Sequence, residues 1–347
     1  MAHGQAPPDY SDKLSIKRPE ISPGSPQLDH LVLLPGEGAA RTRLLRNKAT
    51  YAGDSGVERR LKALYLAVSL AEGNIEMPTV VSAGVPIHYE VIGTGTPILL
   101  VHGLLSSFEA NWVQTGWVNF LLAQGRQVVG MDCRGHGLSG KPHDPSGYGG
   151  DHMADDVIAV MDALGLDRSD LMGYSMGGGI AVDLLARMPE RFTSVVAGGA
   201  GVRTVRKDPT ATAEALEADD LSTIADPGAL MMRRLAESRS TDPTSLSGRD
   251  NDLKALAAVL RGSRGLWGRM AFDTANFTDA LRRVQIPVLA VVGDKDSNLA
   301  EAQLLIETVP LGELVVLPGE DHLSAVTSQK YKEAVASFLK AHALSTA

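Results

Sequence analysis

From Ile75 onward, short apolar runs alternate with amphipathic helical stretches, and this alternation constrains the fold more than any other feature. "PILLVHG", "RQVVGMD", "SDLMGYS", "FTSVVAGG", "IPVLAVVGDKD" and "GELVVLPGEDH" each carry a nearly unbroken apolar stretch. A strand written that way is apolar on both faces, so it belongs inside a parallel sheet rather than on a half-wet one. Between the runs, "DHMADDVIAVMDALG" places Met153, Val157, Val160, Met161 and Leu164 at helical spacing. "MGGGIAVDLLARMP", "EAQLLIETV" and "SAVTSQKYKEAVASFLKAH" read as helices in the same way. "MPTVVSAGVPIHYEVIGTG" reads as two strands joined near Ala83-Gly84. The pattern predicts an α/β fold, a mostly parallel, doubly wound sheet of about eight strands with helices on both faces.

Two regions depart from the alternation. Residues 1–74 form an N-terminal extension, beginning with an arm rich in Pro, Ser, Asp and Lys that buries little surface. Its second part, Val57 to Ala71, sets Val57, Leu61, Leu64, Tyr65, Val68 and Ala71 on one helical face. That face either docks on the main body or contacts a second copy, so a homodimer through the extension stays open. The other departure is residues 203–276, polar, charged and helix-like between two core strands. They read as an inserted helical cap over one end of the sheet, with residues 75–202 and 277–347 as the core. Leu230, Met231, Met232, Leu256, Leu260 and Trp267 give the cap the means to form an apolar pocket wall.

Charge and cysteine content exclude some functions. The net charge of −8 leaves no basic footprint for nucleic acid or anionic lipid. The single cysteine, Cys133, forbids an intramolecular disulfide and has no partner at metal-ligand spacing. No basic segment leads into an apolar leader, and no run reaches the length of a membrane span, so the expectation is a cytoplasmic protein without membrane contact.

Against this background, "DLMGYSMGGGIA" stands out. Ser175 lies between Gly173 and Gly177, at the end of a buried strand and the start of a helix. A serine at so sharp a turn needs flanking residues without side chains. Its hydroxyl then stands at the carboxyl end of the sheet, where open α/β folds bind ligands, beside the amides of a helix N-terminus. Serine is a poor nucleophile without a base and a group to orient that base. His322 follows the last predicted strand, and Asp294 and Asp296 follow the strand before it. All three residue types reach the same sheet edge, in the order Ser, Asp, His.

The chain thus resembles the α/β-hydrolases from about Ile75 to its C-terminus. "LLVHGLLSS" is similar to the family's His-Gly oxyanion segment, "MDCRGHGLSG" to its Asp-x-Arg-Gly-x-Gly-x-Ser turn, and "GYSMGG" to its nucleophile elbow. "IPVLAVVGDKD" is similar to its acid strand and "PGEDH" to its histidine loop. The resemblance implies Ser175 as nucleophile, His322 as general base and then acid, and Asp296 as the orienting acid, three residues after the strand-ending Gly293. It implies an oxyanion hole from the backbone N–H groups of Leu104 and Met176, and neither cofactor nor metal. The implied activity is that of a capped serine esterase acting on a small-molecule carboxylic ester or lactone with an apolar part. The same triad also serves C–C bond hydrolysis, acyl transfer and perhydrolysis, and the fold also hosts non-catalytic ligand receptors.

Other polar residues read as scaffolding. His102 is expected to hold the oxyanion loop by hydrogen bonds, and Asp132 and Arg134 to fix the turn that follows. His136 is expected to stabilise that turn or face solvent. His152, Asp155 and Asp156 open a helix, where acidic residues suit the dipole. Trp112 and Trp117 line an acyl pocket or pack the core.

Overall fold

The computed structural model describes residues 78–149, 151–203, 208–238, 251–262 and 274–343. The chain divides into two compact units, Met1–Val68 and Ser69–Ala347, and every described residue lies in the second. The predicted helix at Val57–Ala71 and Trp267 fall outside the described residues.

Eight strands form one sheet: β1 (Thr79–Ser82), β2 (Val85–Ile92), β3 (Thr96–Val101), β4 (Arg126–Met131), β5 (Ser169–Tyr174), β6 (Phe192–Gly198), β7 (Val288–Gly293) and β8 (Gly312–Leu317). Their spatial order is β1-β2-β4-β3-β5-β6-β7-β8. β1 and β2 form an antiparallel hairpin whose turn takes positive φ at Ala83 and Gly84, and β2 runs antiparallel to β4. All pairings from β4 to β8 are parallel. β5 and β7 are buried along their whole length, as their unbroken apolar sequences require, whereas the edge strand β8 is buried only at Leu317.

The period of two along each strand divides its side chains between two apolar layers. Leu99, Val101, Val129 and Leu171 pack on one face against α2 (His152–Ala163), α3 (Met176–Arg187) and α8 (Leu299–Thr308). Ile98, Leu100, Val128 and Met172 pack on the other against α1 (Trp117–Ala123) and α9 (Gln329–Ala341). Trp112 and Trp117 are fully buried in this second layer, ring to ring at 5.9 Å, so both belong to the core rather than to a pocket wall.

Among the described residues, α4 (Thr210–Glu217), α5 (Pro227–Glu237) and α6 (Leu253–Gly262) lie between β6 and β7 in the chain, followed by α7 (Thr274–Arg282). The boundary read at residue 276 falls inside α7. Leu216, Leu256 and Ala257 pack with Leu105, and Met232 and Leu260 lie against the same cluster. Leu230 and Met231 instead line a surface groove of about 510 Å³ with Pro227, Arg234, Leu235 and Ser238. Met231 is 55% exposed and Leu230 is half-buried, and both lie apart from the cluster at Leu105.

The order β4-β3-β5 places the topological switch point between β3 and β5. After β4 the chain returns across β3, which opens a crevice at the carboxyl ends of β3 and β5. Val101 pairs with Gly173, so His102-Gly103 and Ser175 emerge side by side into that crevice.

Candidate active site

Ser175 stands at φ 56°, ψ −110°, a conformation that L side chains rarely adopt. Its neighbours make this turn possible. A Cβ on Gly173 would meet the Gly177 carbonyl oxygen at 2.0 Å, and one on Gly177 would meet the Val101 carbonyl oxygen at 2.1 Å. The two glycines therefore let β5 and α3 close onto each other and onto β3. The Ser175 N–H donates to the Gly198 carbonyl at 2.8 Å, which ties the turn to the end of β6.

His322 and Asp296 converge on this serine from the loops after β8 and β7. His322 Nε2 lies 2.8 Å from Ser175 Oγ, and Nδ1 lies 2.7 Å from Asp296 Oδ2. A carboxylate only accepts, so Nδ1 carries the proton and Nε2 is left to accept from the serine hydroxyl. The Asp296 side chain is fully buried, while the His322 side chain keeps one-third of its surface. Asp296 Oδ1 accepts the Asn298 N–H at 2.9 Å, so both carboxylate oxygens have partners. Asp294, two residues earlier, faces away and accepts the Gly319 N–H.

The loop after β3 packs directly on the serine. A Cβ on Gly103 would lie 3.4 Å from Ser175 Cβ. Asn111 Oδ1 accepts the Gly103 N–H at 2.9 Å, and Leu105 takes φ 65° without being glycine. The Leu105 carbonyl accepts from Asn251 Nδ2, which links this loop to the start of α6. Leu104 and Met176 flank the serine as the residues after Gly103 and after Ser175 itself. Met176 opens α3, and amides at a helix start have no acceptor within their own helix.

Behind the loop sits a buried polar scaffold. His102 is fully buried; its Nε2 accepts the Cys133 N–H at 2.9 Å, so Nδ1–H donates to the Gly103 carbonyl at 2.8 Å. Burial holds its pKa below that of a free histidine, outweighing the attraction of Asp132. His136 packs edge-on at 5.0 Å from His102 and is pushed down to about 3, first by burial and then by the neighbouring His102. It is thus a buried residue, not a solvent-facing one. Asp132 accepts the N–H groups of Phe108 and Leu138, and Arg134 forms a buried paired bond to Asp156. Asp156 therefore holds Arg134 and is not a helix-dipole residue; Asp155 pairs with Arg187.

Several contributors escaped the sequence reading. Tyr174 donates from its hydroxyl to the His322 carbonyl at 2.6 Å. Asn298 Nδ2 donates to the Gly199 carbonyl at 2.9 Å. Asn298 carries a sequence signal in hindsight, an Asx turn two residues past Asp296. Asn111 and Tyr174 carry none, because their partners lie 8 and 148 residues away.

Among the described residues, no group of three or more His, Cys, Asp or Glu side chains is placed to hold a metal ion. Among the same residues, no helix is long and apolar enough to cross a membrane.

Comparison with known proteins agrees with the architecture. Residues 96–327 match the family model described as alpha/beta hydrolase fold. The chain is 37% identical over 124 residues to a 2-hydroxymuconate semialdehyde hydrolase from Pseudomonas sp. (strain CF600), a match that spans 35% of this chain and 43% of that enzyme. It is 28% identical over 269 residues to a bifunctional esterase/perhydrolase from Acinetobacter calcoaceticus, covering 69% of this chain and 90% of that one. Among solved structures, Est816, described as an N-acyl homoserine lactone degrading enzyme, superposes with a TM-score of 0.56 at 28% identity, over 75% of this chain and all of that one. With its sheet order and two-thirds of its length in agreement, the chain belongs to the alpha/beta hydrolase fold family.

Proposed function

We propose that the chain is a serine hydrolase of small carboxylic esters or lactones. The reading rests on one observation, the unbroken hydrogen-bonded line Ser175–His322–Asp296 at 2.8 and 2.7 Å beneath a strained serine turn. In this reading Ser175 Oγ attacks the substrate carbonyl carbon as its proton passes to His322 Nε2. Asp296 holds the imidazole in the required tautomer and stabilises the imidazolium that forms. The backbone N–H groups of Leu104 and Met176 receive the developing oxyanion, a contribution on the order of 10²–10³ in rate per donor. His322 returns its proton to the leaving alkoxide, which departs and leaves an acyl-serine. Water then attacks the acyl carbon, His322 takes its proton, and the acid leaves as Ser175 is reprotonated. Helices α4 to α6 act as the cap. Their apolar face against Leu104 and Leu105 favours a substrate with an apolar part.

C–C bond hydrolysis is the second reading, supported by the 37% identity to the semialdehyde hydrolase over 124 residues. The test is hydrolysis of p-nitrophenyl esters from C2 to C12 and of acyl lactones, with fluorophosphonate labelling, in wild type and Ser175→Ala. The expected result is turnover and labelling in wild type and neither in the variant. Labelling at Ser175 without turnover of any ester or lactone favours the C–C reading. A wild type that neither labels nor turns over overturns both.

A further inference from the structure

Resting on the triad reading above, we infer that Tyr174 is a positioning residue for His322. Its hydroxyl ties the main chain of the histidine loop to the nucleophile turn, so that the imidazole stays within reach of Ser175 and Asp296.

The histidine loop is anchored at its far end, where Ala325 and Val326 are buried and the Trp117 Nε1–H donates to the Val326 carbonyl at 2.7 Å, and at its near end, where Asp294 accepts the Gly319 N–H. Asp321 and Leu323, on either side of His322, are exposed, Leu323 to 48%. Apolar burial therefore does not hold the loop at the histidine, and polar ties must. One tie leads to the acid loop, where the Lys295 N–H donates to the Glu320 carbonyl at 3.0 Å. Asp321 caps the turn internally, accepting the N–H groups of Leu323 and Ser324. The tie to the nucleophile comes from Tyr174, whose hydroxyl donates to the His322 carbonyl at 2.6 Å. This bond reaches the backbone of the very residue that must keep its register.

Tyr174 itself is fixed. It is 2% exposed, it ends β5, and it is covalently joined to Ser175. Its ring lies over the turn after β6: a Cβ on Gly198 would be 2.7 Å from Tyr174 Cδ2, and one on Gly199 would be 3.2 Å from its Cζ. The same position on Gly199 would be 3.1 Å from His322 Cε1. Tyrosine ring and imidazole thus rest on one glycine turn, 5.6 Å apart. Burial pushes the phenol well above its usual range, which keeps the proton that makes the bond. Movement of the nucleophile turn is carried to the histidine by a rigid ring and one hydrogen bond.

Tyr174→Phe removes only the hydroxyl. The experiment measures kcat and KM on a p-nitrophenyl ester, together with the melting temperature, in wild type and in a His322→Ala background. The expected result is a fall in kcat of about 3- to 10-fold, the worth of one neutral hydrogen bond, with KM within about twofold. In the His322→Ala background the same change is expected to move the residual rate by less than about twofold, because the group it positions is gone. An unchanged kcat overturns the inference. Equal losses in both backgrounds also overturn it, since Tyr174 then acts on the fold or on Ser175 directly. A wild type inactive on every ester and unlabelled at Ser175 overturns the hydrolase reading, and this one with it.

Discussion

His322 touches Ser175, and His102 braces the Gly103 loop packed on it, so their surroundings give the same side chain two different uses. His322 donates from Nδ1 to a buried carboxylate and keeps Nε2 on the serine hydroxyl, with one-third of its side chain open to solvent. His102 has spent both nitrogens on the backbone, one on the Gly103 carbonyl and one on the Cys133 N–H, and is fully buried. A proton gained by His322 is balanced by Asp296. A proton gained by His102 would break the bond from Cys133 and place a charge in the core. The partner on each nitrogen, together with access to water, separates the proposed base from a brace.

The largest effects should fall on the active side of this comparison. His322→Ala is predicted to lower kcat for ester hydrolysis by about 10⁴–10⁶ with little change in melting temperature. His102→Asn should do the reverse in proportion. It leaves the buried Cys133 N–H without an acceptor, at about 1–3 kcal/mol. That corresponds to a fall of roughly 2–5 °C in melting temperature for a unit of this size. The activity loss should be about tenfold, through the loosened loop beneath Leu104. Steady-state kinetics beside thermal melts separate the two, and a His102 variant that loses activity wholly while melting like wild type would break the comparison.

The two aspartates after β7 sharpen it at closer range. Asp296→Asn keeps the shape of the side chain but lets the amide donate, so His322 is turned toward the wrong tautomer. A loss of up to about 10⁴ in kcat is expected. Asp294→Asn touches only the Gly319 N–H on the exposed side of the loop and should stay within about twofold. Parallel kcat measurements on both variants test this. Comparable losses at the two positions would mean that the acid role is shared.

The meeting of Ser175, Asp296 and His322 was legible in the sequence because each sits just beyond an apolar strand, and parallel strands bring their carboxyl ends to one edge. The sheet was legible for the same reason, since strands buried on both faces leave unbroken apolar runs. The supports were not. Tyr174 reads as one more apolar position at the end of β5, and only the placement of the β8 loop reveals its bond to His322. Leu105 takes positive φ with no glycine to mark it, held by its neighbours and by Asn251 from 146 residues away. Leu230 and Met231 share a helix with Met232, yet face a surface groove while Met232 joins the cluster at Leu105. Helical periodicity in α5 separates these faces but does not say which one the Leu105 cluster will meet.

The last predicted effect is on acid stability rather than on rate, and belongs to the brace side. His136 sits at about 3 in the folded chain against 6.5 for a free histidine, with burial as the main cause. Between those values the unfolded chain binds a proton that the folded chain refuses. Its contribution is therefore present in full above about pH 6.5 and is lost as pH falls toward 3. Asp183, on α3, works in the opposite sense. Burial raises it from 3.8 to about 6 despite Arg187, so the folded chain binds more protons in that window, and this residue favours folding as pH falls. His136→Asn should flatten the decline of unfolding free energy between pH 6.5 and 4, and Asp183→Asn should steepen it. Urea unfolding across that range reads both slopes. The informative quantity is the slope rather than the stability at any one pH, because either substitution also changes packing. Parallel curves for wild type and His136→Asn would mean that the buried histidine pair is not what makes this side of the site acid-labile.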